Sequence, residues 1–287
     1  MIVRTKSVRR ALAAVALMAA GGLIPPASLA ADMPAVPMAI KEKGKLLFGS
    51  KCDYPPDGFL DEKGQPKGIE VDMGRQIAKW IFGDENKIDI MCVTTANRVP
   101  SLVGGKIDLM IATMGITKER REVVDISDAY AWGGSDLLVS KDSSIKSLAD
   151  LKGKKLIVIK GAWQIPWFEK NMPGLEMIKL DTVNEAVQSL LQGRADAYGH
   201  DLNVIYGISS KNPKVRLVGD PYMIGFRGAA VRKGDTVWLA YVNAALAKMH
   251  KDGITAALVE KYVEPELRQY HLTAYDPDKA PANAVRE

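Results

Sequence analysis

The stretch Ile107-Asp-Leu-Met-Ile-Ala-Thr-Met-Gly-Ile-Thr-Lys-Glu-Arg120 joins a short apolar run to a polar loop. Residues 107–112 are typical of a buried strand. The residues after this run offer backbone N–H groups, hydroxyls and a guanidinium, from Thr113, Gly115, Thr117 and Arg120. Ligands of open α/β sheets bind at the carboxyl ends of strands, and an arginine fork suits a carboxylate. The stretch therefore predicts a carboxylate site, although its spacing fits a solvated Arg120 at a helix start equally well.

Strand and helix patterns alternate on both sides of this stretch. Apolar strand patterns occur at 45–50, 87–93, 107–112, 156–159 and 195–198. Helical patterns occur at 68–82, 98–103, 186–192 and 238–251. This alternation with short connections predicts α/β units around mostly parallel sheets. It occurs twice, over 45–112 and 156–231, and the tail 276–287 is predicted to be surface coil.

The N-terminus predicts export. Four basic residues precede the apolar run 11–20, and Ser28-Leu-Ala30 has small residues at the positions that a signal peptidase reads. Residues 1–30 are therefore predicted to be a cleavable signal peptide that directs the protein to the periplasm. Without them, the 287-residue chain keeps 35 basic against 34 acidic residues. A charge this small argues against a nucleic-acid partner or an anionic membrane surface.

Motifs for catalysis or cofactor binding are missing from the sequence. The chain has three histidines without metal-ligand spacing, two cysteines forty residues apart, and neither a G-x-S-x-G nor a G-x-G-x-x-G motif. With 47% hydrophobic and 25% charged residues, its composition is that of a globular protein. We therefore expect a binding protein with no cofactor and no metal.

The segment 107–130 resembles the signature stretch of bacterial extracellular solute-binding proteins of the polar amino-acid ABC-importer type (family 3). Five further segments occur in the order found in that family, and together they cover nearly the whole mature chain. They are Asp53-Tyr-Pro-Pro56, Gly68-Ile-Glu-Val-Asp72-Met73, Leu148-Ala-Asp-Leu-Lys-Gly153, Gly193-Arg-Ala-Asp196-Ala197 and Ala230-Val-Arg-Lys-Gly234-Asp235.

The resemblance implies a two-lobed periplasmic-binding-protein fold (type II) with a ligand cleft between the lobes. Lobe one would hold 40–132 and 227–287, and lobe two 133–226. Two hinge strands would cross near 135–140 and 225–231. Ligand binding would favour a closed form of a monomer, which a membrane ABC permease then recognises.

The resemblance also assigns roles in the site. Arg120, helped by Thr113 and the backbone of Gly115, would bind the α-carboxylate of the ligand. Asp201 would receive the α-ammonium group, and its alternative role is to cap a helix over 202–206. Tyr54 would wall the pocket or merely anchor its loop. Trp163 departs from the family pattern at 161–163, and it would line the pocket, or belong to the core or the hinge.

The predicted ligand is an acidic amino acid. Arg98 follows Thr94-Thr-Ala-Asn97, a stretch resembling acidic amino-acid binders, and Lys51 stands where many relatives carry an aspartate. Thr95, Lys51 and Arg98 would then read a distal carboxylate, because surplus positive charge in a closed cleft needs compensation. Alternatively, Arg98 pairs with an acid such as Asp53, which would suit a neutral or basic ligand.

The sequence leaves open two other functions and whether the two cysteines form a disulfide. Some exported relatives with this fold are cyclohexadienyl dehydratases, which need a general acid, for which Glu70, Asp72 and Asp201 are candidates. A ligand sensor that docks to a receptor is the other possibility. Cys52 and Cys92 end two strands that would be neighbours in this fold, so they form a disulfide or remain two free thiols.

Overall fold

The computed structural model describes residues 33–285, so the predicted signal peptide lies outside the described residues. Twelve strands form within them. These are β1 (Leu46–Ser50), β2 (Asp53–Tyr54), β3 (Gly58–Leu60), β4 (Pro66–Lys67), β5 (Ile88–Cys92), β6 (Leu109–Met110), β7 (Val124–Ser140), β8 (Lys155–Ile159), β9 (Glu176–Leu180), β10 (Ala197–Asp201), β11 (Val215–Leu217) and β12 (Met223–Arg232).

Ten α-helices lie between and after these strands in the same part of the chain. They are α1 (Met38–Lys41), α2 (Ile69–Phe82), α3 (Arg98–Val103), α4 (Lys118–Val123), α5 (Gln164–Asn171), α6 (Val183–Leu191), α7 (Leu202–Lys211), α8 (Thr236–Lys251), α9 (Ile254–Tyr262) and α10 (Pro265–Ala274). Short 3₁₀ turns occupy Leu148–Leu151 and Pro277–Lys279. No helix within residues 33–285 is long and apolar enough to cross a membrane.

One curled sheet carries the fold, with the strand order β5-β1-β6-β12-β7-β10-β8-β9 and β11 beside β7. Strand β1 runs parallel to β5 and β6, and β8 runs parallel to β9 and β10. The antiparallel pair β7 and β12 separates these two parallel groups. The predicted α/β class is therefore confirmed, but the prediction of mostly parallel sheets is wrong: within residues 33–285 this sheet has four parallel and four antiparallel strand pairs, because the long strands β7 and β12 pair antiparallel with each other and with their neighbours. Strands β2, β3 and β4 add a small second sheet.

The strands β7 and β12 join two halves of the molecule, which is the expected two-lobed, type II arrangement. They pair from Val124 and Arg232 to Ser135 and Met223, with β6 beside β12 and β10 beside β7. Residues 135–139 already pair with β10. The crossing therefore lies at 131–134 and 224–227. In β7 it lies just before the predicted 135–140, whereas in β12 it overlaps the predicted 225–231. The lobe boundaries at 132/133 and 226/227 stay a prediction.

Helix α2 illustrates how sequence pattern becomes packing in the first half. Its apolar residues Ile69, Met73 and Ile77 recur every three to four positions and are fully buried against the sheet. A Cβ at Gly74 would lie 2.6 Å from the ring of Phe48, so only glycine lets the helix pack this closely. The helix ends at Gly83, whose left-handed backbone forms the C-cap.

Two predicted segments differ from the structure. The strand predicted over 107–112 is regular only at Leu109–Met110, because the chain leaves the sheet at the carboxyl end of β6. The tail is not simply coil: it contains the turn Pro277–Lys279, and the N–H of Val285 donates to the carbonyl of Ile224 at 2.9 Å. The tail therefore lies on β12 beside the crossing.

Cys52 and Cys92 form a disulfide bond, with their Cα atoms 5.4 Å apart. Strands β1 and β5 are parallel neighbours, and the pairing of Ser50 with Cys92 brings their carboxyl ends together. The disulfide is thus confirmed, and the alternative of two free thiols is wrong.

Removing this disulfide should lower the free energy of unfolding. The bond closes a loop across 40 residues, and a loop of that length restricts the unfolded chain by about 4 kcal/mol. Urea unfolding of the Cys52→Ala/Cys92→Ala variant measures this loss, with the reduced wild type as its control. A loss below about 1 kcal/mol would show that the bond contributes little.

Candidate functional site

A small buried cavity lies where the carboxyl ends of the parallel strands of both halves meet. Its walls come from the loops after β1, β5, β6 and β8 and from the end of β10, where open α/β sheets bind ligands. They are Tyr54, Thr95, Arg98, Thr113, Ala162, Trp163, Gln164, His200 and Asp201. We call it the Arg98–Asp201 cavity. Its volume is about 10 Å³, room for one water at most.

Six of the nine residues predicted for the site line this cavity, and the other three lie next to it. Arg120 is half-buried, and its fork donates to the carbonyl of Gly115 at 2.6 Å and to that of Gly161 at 3.0 Å. Burial and the nearby charge of Arg98 lower the pKa of Arg120 to about 9, so the guanidinium stays charged at neutral pH. Arg120 therefore lies in the first turn of α4, as the alternative prediction has it, but its guanidinium is not simply solvated, because it links the loops after β6 and β8.

Asp201 is a buried acceptor at the end of β10. Its Oδ1 accepts hydrogen bonds from Nε1 of Trp163 at 2.8 Å and from Nε2 of Gln164 at 2.7 Å. Burial opposes ionisation, but His200, Arg227 and these hydrogen bonds outweigh it and lower the pKa of Asp201. Asp201 stands at the N-cap position of α7, as the capping alternative requires, but its side chain accepts no hydrogen bond from the first turn of that helix and therefore does not act as the cap.

Trp163 packs its ring against backbone from two parts of the molecule. A Cβ at Gly115 would lie 2.5 Å from this ring, and one at Gly225 would lie 2.6 Å from it. The indole therefore contacts the loop after β6 and the crossing strand β12, while its Nε1 holds Asp201. Trp163 walls the cavity and touches the crossing at once.

A chain of hydrogen bonds fixes the orientation of Tyr54. Nδ1 of His200 accepts the N–H of Asp201, so in the neutral ring Nε2 carries the hydrogen and donates to the hydroxyl of Tyr54 at 2.7 Å. Burial lowers the pKa of His200 to about 4, which keeps the ring neutral. The hydroxyl of Tyr54 also shares a hydrogen bond of 3.2 Å with Oγ1 of Thr95. Tyr54 is therefore a wall held from both halves.

The two cations of the predicted distal pocket are in different situations. Lys51 is fully buried, pairs with Asp53 at 3.0 Å and lies over the ring of Tyr54, and burial lowers its pKa. Arg98 is also buried and donates to the carbonyl of Ala112 at 2.5 Å. Among residues 33–285, no carboxylate lies at ion-pair distance from Arg98. The predicted alternative, a pair between Arg98 and Asp53, is therefore not formed.

Thr113 adopts a left-handed backbone conformation, with φ at +50°, which β-branched residues rarely do. The carboxylate of Glu70 accepts its N–H at 2.9 and 3.1 Å. Burial and the charge of Asp57 raise the pKa of Glu70 to about 8. Such strain is typical of functional sites. Asp72, the other acid considered for catalysis, instead pairs with Lys261 and Arg75, outside the cavity.

A buried ionic cluster beside the cavity was not predicted. Arg227, on the crossing strand β12, pairs with Asp57 at 3.3 Å and donates to Oδ1 of Asn203 at 2.5 Å. Asn203 donates back to Asp57, and Arg227 also lies 3.8 Å from Asp201. This Asp57–Arg227 cluster connects the loop after β2, helix α7 and the crossing. Asp57 and Arg227 are 170 residues apart, so no local pattern could reveal it.

Three further residues of the cavity wall were not predicted: Ala162, Gln164 and His200. Ala162 and Gln164 flank Trp163 and His200 precedes Asp201, so their position next to a predicted residue was a usable signal. Elsewhere, His250, Asp276 and Asp278 bring ligand atoms within 4.8 Å of one another. The cluster is partly exposed, and Asp276 pairs with Lys279 at 2.9 Å, so we assign no metal site there.

Comparison with known proteins places this geometry among solute receptors. The family described as bacterial extracellular solute-binding proteins, family 3, matches residues 46–265. A glutamine-binding protein of a Bacillus subtilis ABC transporter is 36% identical over 230 residues, which cover 79% of this chain and 84% of that protein. An L-cystine-binding protein of Escherichia coli is 33% identical over 226 residues, covering 78% and 84% respectively.

A solved structure agrees with these sequence matches. The crystal structure of a solute receptor for L-cysteine from Neisseria gonorrhoeae superimposes with a TM-score of 0.79 at 32% identity. The match covers 84% of this chain and 97% of that one. The similarity therefore extends over both halves of the sheet and includes the strands that carry the cavity.

Proposed function

Because the chain belongs to family 3 of the bacterial extracellular solute-binding proteins, we propose that it is the monomeric, periplasmic receptor of an ABC importer for an acidic amino acid. Its signal peptide directs it there, and a membrane permease receives the ligand from it. The family and the relatives are binding receptors, so the protein is a receptor and not an enzyme. The dehydratase alternative is not favoured.

Contacts across the cavity support a clamping mechanism. Tyr54 meets His200, and Arg120 meets the carbonyl of Gly161, which bring the loops of the first half against those of the second. The cavity of about 10 Å³ is too small for an amino acid. A ligand therefore enters when these contacts open, and it replaces them with its own hydrogen bonds when the halves close.

The charged groups match an α-amino acid. In the proposed closed complex, Arg120 turns its fork from the two carbonyls to the α-carboxylate, with the backbone of Thr113 and Gly115 nearby. The α-ammonium group lies against Asp201, whose lowered pKa keeps it ionised. Arg120 and Asp201 thus neutralise the two charges of the α-amino acid group. The remaining charged groups of the site then determine which ligand side chain is preferred.

The main support for an acidic ligand is the environment of Arg98. It is a buried guanidinium without a carboxylate at ion-pair distance among the described residues, whereas Lys51 already has Asp53. A buried charge left unpaired is costly, and a distal carboxylate of the ligand would pair it. The named ligands of the three relatives reported above differ from one another, so they do not settle this choice.

Thr95 lies beside Arg98 in the wall of the cavity. Its hydroxyl shares a hydrogen bond of 3.2 Å with the hydroxyl of Tyr54, in which either oxygen can donate, and Nζ of Lys51 donates to it at 3.4 Å. A hydroxyl can rotate its hydrogen toward an acceptor such as a carboxylate, so Thr95 is compatible with an acidic ligand.

Glutamate or aspartate should stabilise the protein against heat in a panel of amino acids. A ligand at about 100 times its dissociation constant adds about 2.7 kcal/mol to the free energy of unfolding. Glutamine, arginine, lysine, cysteine and cystine, tested at equal concentration, should give smaller shifts in Tm. If any of these five compounds raises the Tm while glutamate and aspartate do not, the proposal of an acidic ligand is wrong.

The variant Arg98→Gln tests whether Arg98 pairs with a carboxylate in the ligand side chain. It should remove the preference for glutamate over glutamine, because the distal carboxylate then loses the cation that is proposed to pair with it. Arg194→Gln, at an exposed arginine after α6, is the matched control and should keep the preference. If Arg98→Gln keeps it as well, Arg98 does not read the ligand side chain.

A further inference from the structure

Glu70 contacts the wall of the Arg98–Asp201 cavity without lining the cavity itself. It lies in the first turn of α2, and its side chain is fully buried. Its two oxygens accept the backbone N–H of Thr113, at 2.9 and 3.1 Å, and Oε1 also accepts the hydroxyl of Tyr130 from β7. A carboxylate in the interior is costly unless it accepts hydrogen bonds in this way. Glu70 therefore meets the cavity wall through the backbone of Thr113.

The peptide unit between Ala112 and Thr113 is held from both sides. It is trans, so its C=O and N–H groups point in opposite directions. The N–H group donates to Glu70, and the carbonyl accepts from Nη1 of Arg98 at 2.5 Å. Hydrogen bonds to charged groups are roughly twice as strong as neutral ones. The orientation of this one peptide therefore connects Glu70 to the guanidinium of Arg98.

The same peptide leads into the strained residue of the cavity wall. Thr113 has a φ of +50°, and strain of this kind persists only where the surrounding structure enforces it. After Thr113 the chain turns toward β12, where the N–H of Ile116 donates to the carbonyl of Phe226 at 2.8 Å. The turn at Thr113 therefore sets the direction of the loop that carries Gly115 and Arg120.

We propose that Glu70 is a positioning residue of the amino-acid site, because by holding the Ala112–Thr113 peptide it fixes both Arg98 and the loop 113–120. The inference rests on the proposed amino-acid site. It does not rest on an acidic ligand, because in the proposed complex the loop binds the α-carboxylate that every amino acid has. Without Glu70 the strained backbone relaxes, the peptide turns, and the ligand has to restore both when it binds.

The variant Glu70→Ala should therefore bind the amino acid at least about fivefold more weakly, which is the lower end of what such backbone strain costs. Isothermal titration at neutral pH measures the Kd, and the probe is the amino acid that gives the wild type its largest Tm shift. Circular dichroism checks that each variant is folded. Glu62→Ala, at an exposed glutamate between β3 and β4, is the matched control and should leave the Kd unchanged.

Two rescue variants separate positioning from general support of the fold. Glu70→Gln keeps an acceptor oxygen for the N–H of Thr113, and its amide can donate to the hydroxyl of Tyr130, so its Kd should stay within about twofold of the wild type. Glycine adopts a positive φ without strain. In a Thr113→Gly background, Glu70→Ala should therefore change the Kd by less than about twofold. A residue that only supports packing would not become dispensable through glycine at 113.

Each result decides between these roles. An unchanged Kd for Glu70→Ala, or an equal loss with threonine and with glycine at 113, would overturn the inference while the amino-acid site stands. A Kd for Glu70→Gln as weak as that of Glu70→Ala would overturn it as well. If Glu70→Ala does not fold, the comparison of Thr113→Gly with Thr113→Gly/Glu70→Ala decides alone. If no amino acid binds the wild type, the proposed function itself fails, and this inference fails with it.

Discussion

Replacing Arg227 by methionine should lower the free energy of unfolding by about 3–5 kcal/mol. Asp57 is fully buried, and Arg227 is the cation at ion-pair distance from it among residues 33–285. Without the guanidinium, the carboxylate stays in the interior, and its remaining donors within the described part of the chain are Asn203 and Tyr275. Urea unfolding followed by circular dichroism measures the loss.

A second variant separates the lost charge from the lost packing. Arg227→Met/Asp57→Asn removes both charges, so it should recover part of the stability that Arg227→Met loses. Tyr275 can still donate to the amide oxygen of the asparagine. If the double variant is as unstable as the sum of both single variants, the pair is not the source of the effect. A loss below about 1 kcal/mol for Arg227→Met would contradict the prediction directly.

Asp201→Asn should weaken amino-acid binding by about 2–5 kcal/mol, which is roughly 30-fold to 5,000-fold in Kd. The substitution keeps the shape of the side chain, and an amide oxygen can still accept from Trp163 and Gln164. It removes only the charge that the ligand ammonium needs in the proposed complex. Isothermal titration with the amino acid that gives the largest Tm shift measures the change.

Asp142→Asn is the control for this measurement, because Asp142 is exposed in the loop after β7. It should leave the Kd as in the wild type. An unchanged Kd for Asp201→Asn would mean that the ammonium group binds elsewhere. The proposed orientation of the ligand would then be wrong, whereas the family membership would stand.

The sequence indicated that Thr113 and Asp201 lie at the ends of strands because those signals are local. The apolar run before Thr113 and the run that ends at Asp201 each identify a strand and a polar residue at its carboxyl end, although the strands end two or three residues away from the predicted bounds. Parallel pairing then places such residues at one edge of the sheet. Thr113 was found in this way, whereas Thr95 and Arg98 were predicted from the resemblance of their segment to acidic amino-acid binders.

The remaining features depend on pairing between distant segments. The cluster of Arg227, Asp57 and Asn203 forms across the crossing, and its members carry no common motif. Strand β6 is shorter than its apolar run, because burial of 107–112 does not require ladder hydrogen bonds at each residue. The contact of Val285 with Ile224 likewise joins two segments with no shared pattern. Apolar periodicity predicts which residues are buried, but it does not predict which distant segment they pack against.

The ladder between β7 and β12 has a consequence for amide hydrogen exchange. Residues 131–134 pair with 224–227 at the crossing, where these two strands are each other's neighbours. If the halves separate to admit a ligand, this ladder twists while its hydrogen bonds stay formed. Its amides then exchange only with global unfolding, whereas the N–H of Asp201, bonded to His200 at the cavity, exchanges each time the cavity opens. Exchange rates at these two places therefore separate opening of the binding site from unfolding of the chain.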